Sequence, residues 1–251
     1  MKTDERAARM RLGECYHALR VPPGAHVVVR VDGRSFSRLT SRRTEKPFDP
    51  TFHAWMLATA RGLLESLGAT LVYTQSDEIS VLLPRESELF DREVEKLVSL
   101  AAARASAVFS LACGEAVEFD ARLWVGARDE DVVDYFGWRQ ADGARCALHG
   151  WCYWTLRREG RTERQATKVL EGARVTAKHE LLHDRGINFA SVPAWQRRGS
   201  ALFWESYVKQ GRDPRTDRAV EARRRRIAVD DELPMKEAFA DYVRAHLAPV
   251  A

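Results

Sequence analysis

The sequence has no Cys-x-x-Cys pair among its four cysteines, Cys15, Cys113, Cys146 and Cys152. Its seven histidines are scattered, so no spacing suits a structural zinc site and the thiols are expected to be small buried apolar groups. A run of about eighteen apolar residues is also missing, which argues against a membrane-spanning segment. The opening MKTDERAARM is charged and has no apolar stretch behind it, so no secretory signal is expected and a cytoplasmic location is. Repeats, low-complexity tracts and proline-rich linkers are lacking as well, the nine prolines being dispersed. A single unit over residues 1–251 is therefore expected. Charge of one sign is scarcely in excess: 40 Lys plus Arg face 36 Asp plus Glu, a net +4. Composition permits a polyanionic partner through local clusters, of which Arg223 to Arg226 is the densest, without demanding one.

What is present is enough apolar material, 45% of residues, to fill a proper interior. Val27 to Val31 form a β-branched run that stops at Asp32-Gly33, which puts Asp32 at the C-terminal end of a strand. Asp49-Pro50 supplies an N-cap and a first-turn proline, and Phe52, Trp55, Met56, Leu63, Leu64 and Leu67 fit a helix closed by Gly68. ATLVYT and ISVLLP read as two strands of a hairpin with Gln75, Ser76, Asp77 and Glu78 at its tip. Ser87 is expected to cap a helix running through Leu111 to Gly114, and AVEFDARLWV follows as a fourth strand. The order strand, helix, strand, strand, helix, strand predicts an α+β, ferredoxin-like βαββαβ antiparallel sheet. Beyond Asp129 helical segments are expected near 130 to 138, 143 to 158, 163 to 171 and 175 to 185. A closing hairpin is expected from SVPAW and ALFWESY around Gln196 to Gly199, with Pro193 marking a sheet edge.

In a ferredoxin-like order the first and third strands are neighbours, so the end of the first and the tip of the hairpin approach each other. Asp32 and Asp77 are thereby predicted to converge. Two carboxylates beside a glycine that lets backbone approach closely are hard oxygen ligands suited to Mg²⁺. A pair of such ions roughly 3.5 to 4 Å apart activates an attacking oxygen and neutralises a leaving phosphate. Glu78 alternates to the other face of its strand, which weakens its claim as a ligand. An Asp-Gly turn and a solvated hairpin tip are the plain alternative.

VRVDGRSF, EKPFD, QSDEIS, FDAR and WRQAD occur in one order, and YWTL, KHELL and WQRRG continue the pattern over nearly the whole chain. Together they resemble the tRNA(His) guanylyltransferase superfamily. The resemblance implies a polymerase-like palm over about residues 20–140, a helical and hairpin extension over 141–251, and nucleotide addition in the 3′-to-5′ direction at the 5′ end of tRNA. It implies metal ligands at Asp32, the carbonyl of Gly33, and Asp77. It further implies nucleotide-site roles for Lys46 and Ser76, triphosphate contacts from Lys96 and Arg122, and a catalytic part in 5′ activation for Lys178. Two Mg²⁺ ions per site, ATP and GTP as substrates, a tRNA partner and a homotetramer built as a dimer of dimers are implied as well. Without the resemblance, Lys96 and Lys178 read as solvated helix lysines.

One departure is informative. After WRQAD the enzymes acting on tRNA(His) carry HINNLYN, whereas here Ala144 to Gly150 read ARCALHG, and His149 falls at the tyrosine position. This loss resembles the bacterial and archaeal guanylyltransferase-like proteins, which extend truncated tRNA 5′ ends opposite a template base. Protein contacts would then go to phosphates and shape. Arg42, Arg43, Arg157, Arg158, Arg197, Arg198 and Arg223 to Arg226 are the candidates. The rival readings are obligatory G addition to tRNA(His), a nucleotidyl cyclase with paired aspartates on a similar sheet, and a noncatalytic RNA-binding palm.

Overall fold

The computed structural model describes residues 3–212, 215 and 218–248. Its elements are α1 (Thr3–Arg11), β1 (His26–Gly33), α2 (Phe36–Arg43), α3 (Pro50–Leu67), β2 (Leu71–Gln75), β3 (Glu78–Leu82), α4 (Val94–Cys113) and β4 (Phe119–Gly126). There follow α5 (Asp129–Arg158), α6 (Glu163–Leu170), α7 (Val175–His183), α8 (Ala194–Arg198), β5 (Ser200–Arg212), β6 (Ala219–Asp230) and α9 (Glu237–Ala245). The strands form one antiparallel sheet in the order β4-β1-β3-β2-β5-β6, so the expected βαββαβ palm is present with β1 beside β3.

Local chemistry explains the frame of this palm. Asp49 caps α3 by accepting from the backbone N–H groups of Thr51 and Phe52, Pro50 sits in the first turn, and Gly68 closes the helix at φ 60. Gly114 ends α4 in the same left-handed way, at φ 73. Side chains alternate along β1: Val27, Val29 and Val31 pack with residues of α3 and α4 on one face. Val28 joins Leu71, Tyr73 and Leu82 on the other, beneath α5 and α9. Each fully buried large side chain in these layers contributes about 1.5–3 kcal/mol. A third apolar cluster, with Leu148, Cys152, Leu156, Leu170 and Leu182, ties α6 and α7 to the far half of α5. Among the described helices α4 alone is long and apolar enough to cross a bilayer, and here it lies along α3 and the sheet.

Three expectations are corrected. The helix after β3 begins at Val94, not near Ser87, because the buried Arg92 guanidinium binds the carbonyls of Val21, Ala25, Arg85 and Ser87 and holds Phe90 to Arg92 at positive φ. Residues 129–158 form one helix with no break between the two segments expected at 130 to 138 and 143 to 158, and Gly143 within it lies so close to β2 that a Cβ would sit 2.8 Å from Gln75 Cγ. SVPAW is not a strand. Pro193 precedes the short α8, and β5 pairs with β6 from Ala201↔Asp230 to Arg212↔Ala219 instead. β5 meets β2 only over Ser200 to Phe203, so the rest of the ribbon, carrying Arg223 to Arg226, runs on beyond the sheet.

Candidate active site

Strand register assembles the acidic corner. Asp32 lies opposite Glu78 on β3 and opposite Asp120 on β4, and directly opposed residues share a sheet face. Glu78 therefore stands on the same face as Asp32, contrary to the alternation read from its neighbour Asp77. The Gly33 N–H donates to the Asp77 carbonyl at 3.1 Å, closing the end of β1 onto the hairpin tip. Ser76, at φ 57, donates its hydroxyl to Asp77 Oδ1 at 3.1 Å. Gly33 is required by its neighbour: a Cβ would meet the Phe36 ring at 2.5 Å.

Crowding raises both carboxyl pKa values. Burial holds Asp32 above the ordinary carboxylate range, Asp120 adds to the rise, and Arg122, Arg30 and Arg139 oppose it. Burial raises Asp77 too, with the Asp32 charge adding and the Ser76 hydroxyl opposing. Two carboxylates that disfavour each other's charge, beside a backbone carbonyl, fit a divalent cation that would relieve the repulsion. Asp32 and Asp77 would hold it, with the Gly33 carbonyl as the third ligand that the sequence resemblance implies.

Asp32 and Asp77 line a cleft of about 460 Å³. Lys46 lines it, its ammonium donating to Thr40 Oγ1 and lying 5.8 Å from the Trp154 ring centroid. Burial lowers the Lys46 pKa while the Asp77 charge opposes that fall, so cation and carboxylate sense each other across the cleft. Glu78 is engaged by Arg139, with Nε to Oε1 and Nη2 to Oε2 both at 2.6 Å. That pairing compensates its charge and occupies one lone pair on each oxygen. Arg139 in turn contacts Asp142 at 3.3 Å, and Asp142 accepts from Arg145 at 2.6 Å.

The remaining candidates lie outside the cleft lining. Arg122 is next to the corner on β4, donating to Asp120 at 2.8 Å. Lys96 is at the start of α4, paired with Glu93 at 3.1 Å. Lys178 on α7 bears electrostatically on His149 and Cys152 of α5. Arg157 donates to the Arg161 carbonyl and Arg158 to that of Lys46. Arg197 and Arg198 turn inward, to the carbonyls of Val192 at 2.5 Å and Leu233 at 2.9 Å. On the ribbon, Arg226 pairs with Glu205 at 2.6 Å and Arg225 lies over Trp204.

Sequence reasoning gave no role to Arg139, Asp142, Asp120, Trp154, Trp195 or His53, all of which sit at or beside the cleft. The i, i+3 spacing of Arg139 and Asp142 on a helix was a legible signal for that pair.

A ferredoxin-like sheet with carboxylates converging at the end of its central strand defines a palm-type nucleotidyltransferase. The chain belongs to the tRNA(His) guanylyltransferase family. Residues 7–134 match the family described as tRNAHis guanylyltransferase, and residues 130–241 match the Thg1 C terminal domain. A probable tRNA(His) guanylyltransferase of Dictyostelium discoideum is 32% identical over 190 residues, 70% of this chain and 74% of that one. The tRNA(His) guanylyltransferase 2 of Arabidopsis thaliana is 31% identical over 196 residues, 73% of this chain but only 36% of that longer protein. A bacterial tRNA(His) guanylyltransferase-like protein solved with ATP superposes with a TM-score of 0.75 at 26% identity, over 96% of this chain and 98% of that one.

Proposed function

We propose that the protein adds nucleotides in the 3′-to-5′ direction to the 5′ end of tRNA, chosen by pairing with a template base, and so repairs 5′-truncated tRNA. The convergence of Asp32 and Asp77 in a cleft that also holds Lys46 carries the reading. The 3′-hydroxyl of an incoming nucleoside triphosphate attacks the activated 5′ phosphorus, and pyrophosphate or AMP leaves. A 5′-monophosphate end is first adenylylated by ATP, because it has no adequate leaving group of its own. Asp32, the Gly33 carbonyl and Asp77 would hold two Mg²⁺ ions, which would lower the pKa of the attacking hydroxyl and neutralise phosphate charge. Lys46 binds phosphate oxygens, and Ser76 serves the nucleotide site through the hydrogen bond that orients the Asp77 carboxylate. Glu78, held by Arg139, adds no ligand and keeps its charge compensated beside Asp77. Lys96, Arg122 and Lys178 act on triphosphate or RNA phosphates from outside the cleft, within an assembly of four chains.

Pairing-dependent choice, rather than obligatory G addition, is favoured by the ARCALHG stretch: Cys146, Ala147 and Gly150 line the cleft in place of the larger polar side chains of HINNLYN. The test offers tRNAs lacking one 5′ nucleotide, with each opposing base in turn, and identifies the triphosphate incorporated. Incorporation that follows the opposing base is expected. Addition of G alone, to full-length tRNA(His), would establish the rival.

A further inference from the structure

The WQRRG segment has no part in the chemistry above, yet the structure packs it against β2 and sets its tryptophan in the cleft lining. Besides the inward-turned Arg197 and Arg198, the Gln196 carbonyl accepts from Gln75 Nε2 at 2.9 Å, and Gly199 packs on Tyr73 and the Thr74 carbonyl. These contacts pin α8 against the end of β2 and set Trp195 in the cleft wall.

The plane of that indole is fixed from several sides. Trp195 lies parallel to the His53 ring, with centroids 4.2 Å and planes 14° apart, and Phe48 meets it edge-on at 5.9 Å. His53 is held in turn by Asp231, Nε2 to Oδ1 at 3.2 Å, and the Ser200 hydroxyl donates to the same oxygen at 2.6 Å. Residues from α3, α8, β5 and the chain after β6 thus orient one aromatic surface. The other cleft tryptophan, Trp154, already faces the Lys46 ammonium. The cleft thus carries two carboxylates and an ammonium together with a braced aromatic wall.

We infer that Trp195 is a nucleobase-stacking surface, on which the base of ATP or GTP rests while its triphosphate points to Lys46 and the acidic corner. The inference rests on the nucleotidyl-transfer reading of this cleft. Stacking on an aromatic face is indifferent to base identity, because every base has a π-face. A wall of this kind holds any triphosphate and leaves the choice among them to pairing.

Equilibrium binding with Mg²⁺ present tests it, using ATP, GTP, base-free ribose 5-triphosphate and inorganic tripolyphosphate. The unsubstituted protein is expected to bind ATP and GTP about tenfold more tightly than ribose 5-triphosphate. In Trp195→Leu that advantage should vanish while tripolyphosphate binding is unchanged, and Trp195→Phe should retain most of it. Equal affinity of the unsubstituted protein for ATP and ribose 5-triphosphate would overturn the inference without recourse to any variant. Parallel loss of tripolyphosphate binding in Trp195→Leu would assign Trp195 to the scaffold and overturn it too. A protein that adds nucleotides to tRNA but shows no dependence on the base loses the stacking surface only. One that binds no triphosphate at all loses the parent reading as well.

Discussion

Glu78 and Arg139 face each other in a two-pronged ion pair, both N–H···O distances 2.6 Å, in which neither side chain is more than 18% exposed. The pair joins β3 to α5 directly beside the carboxylates of the corner. Geometry this tight on partly buried groups distinguishes it from the many exposed ion pairs of the surface.

Removing one partner leaves the other with only a longer contact, Arg30 at 3.9 Å from Glu78 or Asp142 at 3.3 Å from Arg139. Arg139→Ala should destabilise the fold by about 2–3 kcal/mol. Adding Glu78→Gln to it should cost much less than the sum of the two single changes. Urea denaturation of the four-member cycle measures this, and strict additivity would show the pair to be decorative.

The two raised aspartate pKa values make the corner costly to hold without a cation. Asp77→Asn removes one of the crowded charges, so in EDTA the variant should melt at a higher temperature than the unsubstituted protein. Nucleotide addition should be abolished in the same variant, and Mg²⁺ should raise the Tm of the unsubstituted protein only. A variant that melts lower in EDTA would contradict the repulsion inferred here.

Gly33→Ala should push the Phe36 ring, since the new Cβ would meet it at 2.5 Å. A cost of about 1–3 kcal/mol is expected from overpacking, together with loss of nucleotide addition as the Asp32 corner shifts. Thermal unfolding and an incorporation assay report the two effects separately.

His53 supplies a pH dependence. Burial lowers its pKa below the ordinary 6.5, more than the hydrogen bond and charge of Asp231 raise it. The unfolded chain therefore takes up the proton first as pH falls, so the contribution of this residue is complete above about pH 6.5 and is lost progressively below it. Melting temperatures at about pH 7.5 and about pH 5.5 should differ more in the unsubstituted protein than in His53→Phe, which keeps a ring on Trp195 but cannot titrate. Equal differences would refute this.

The legible part of the molecule was what depends on local chemistry and strand order. Asp49-Pro50 and Gly68 bracket α3 as read, and the βαββαβ order places β1 beside β3, which is enough to bring Asp32 to Asp77. Family resemblance added Lys46 and Ser76, and both line the cleft. Register is where spacing stops helping. That Asp120 faces Asp32, or that Glu78 shares its sheet face, depends on which residue pairs with which across strands far apart in sequence. Arg92 illustrates a second limit: its helix-compatible surroundings gave no sign that a buried guanidinium would gather four carbonyls and delay α4. WQRRG reads equally as turn or basic surface, and only the packing of Gly199 on Tyr73 shows why it coils inward.

Phe36 touches the glycine of the acidic corner, and its ring also packs within 4.9 Å of both Phe109 and Phe119 in the interior. Nothing compliant intervenes between the reacting end of the cleft and the aromatic heart of the palm. Heat inactivation and global melting should consequently coincide, with no softened, half-competent form expected between them.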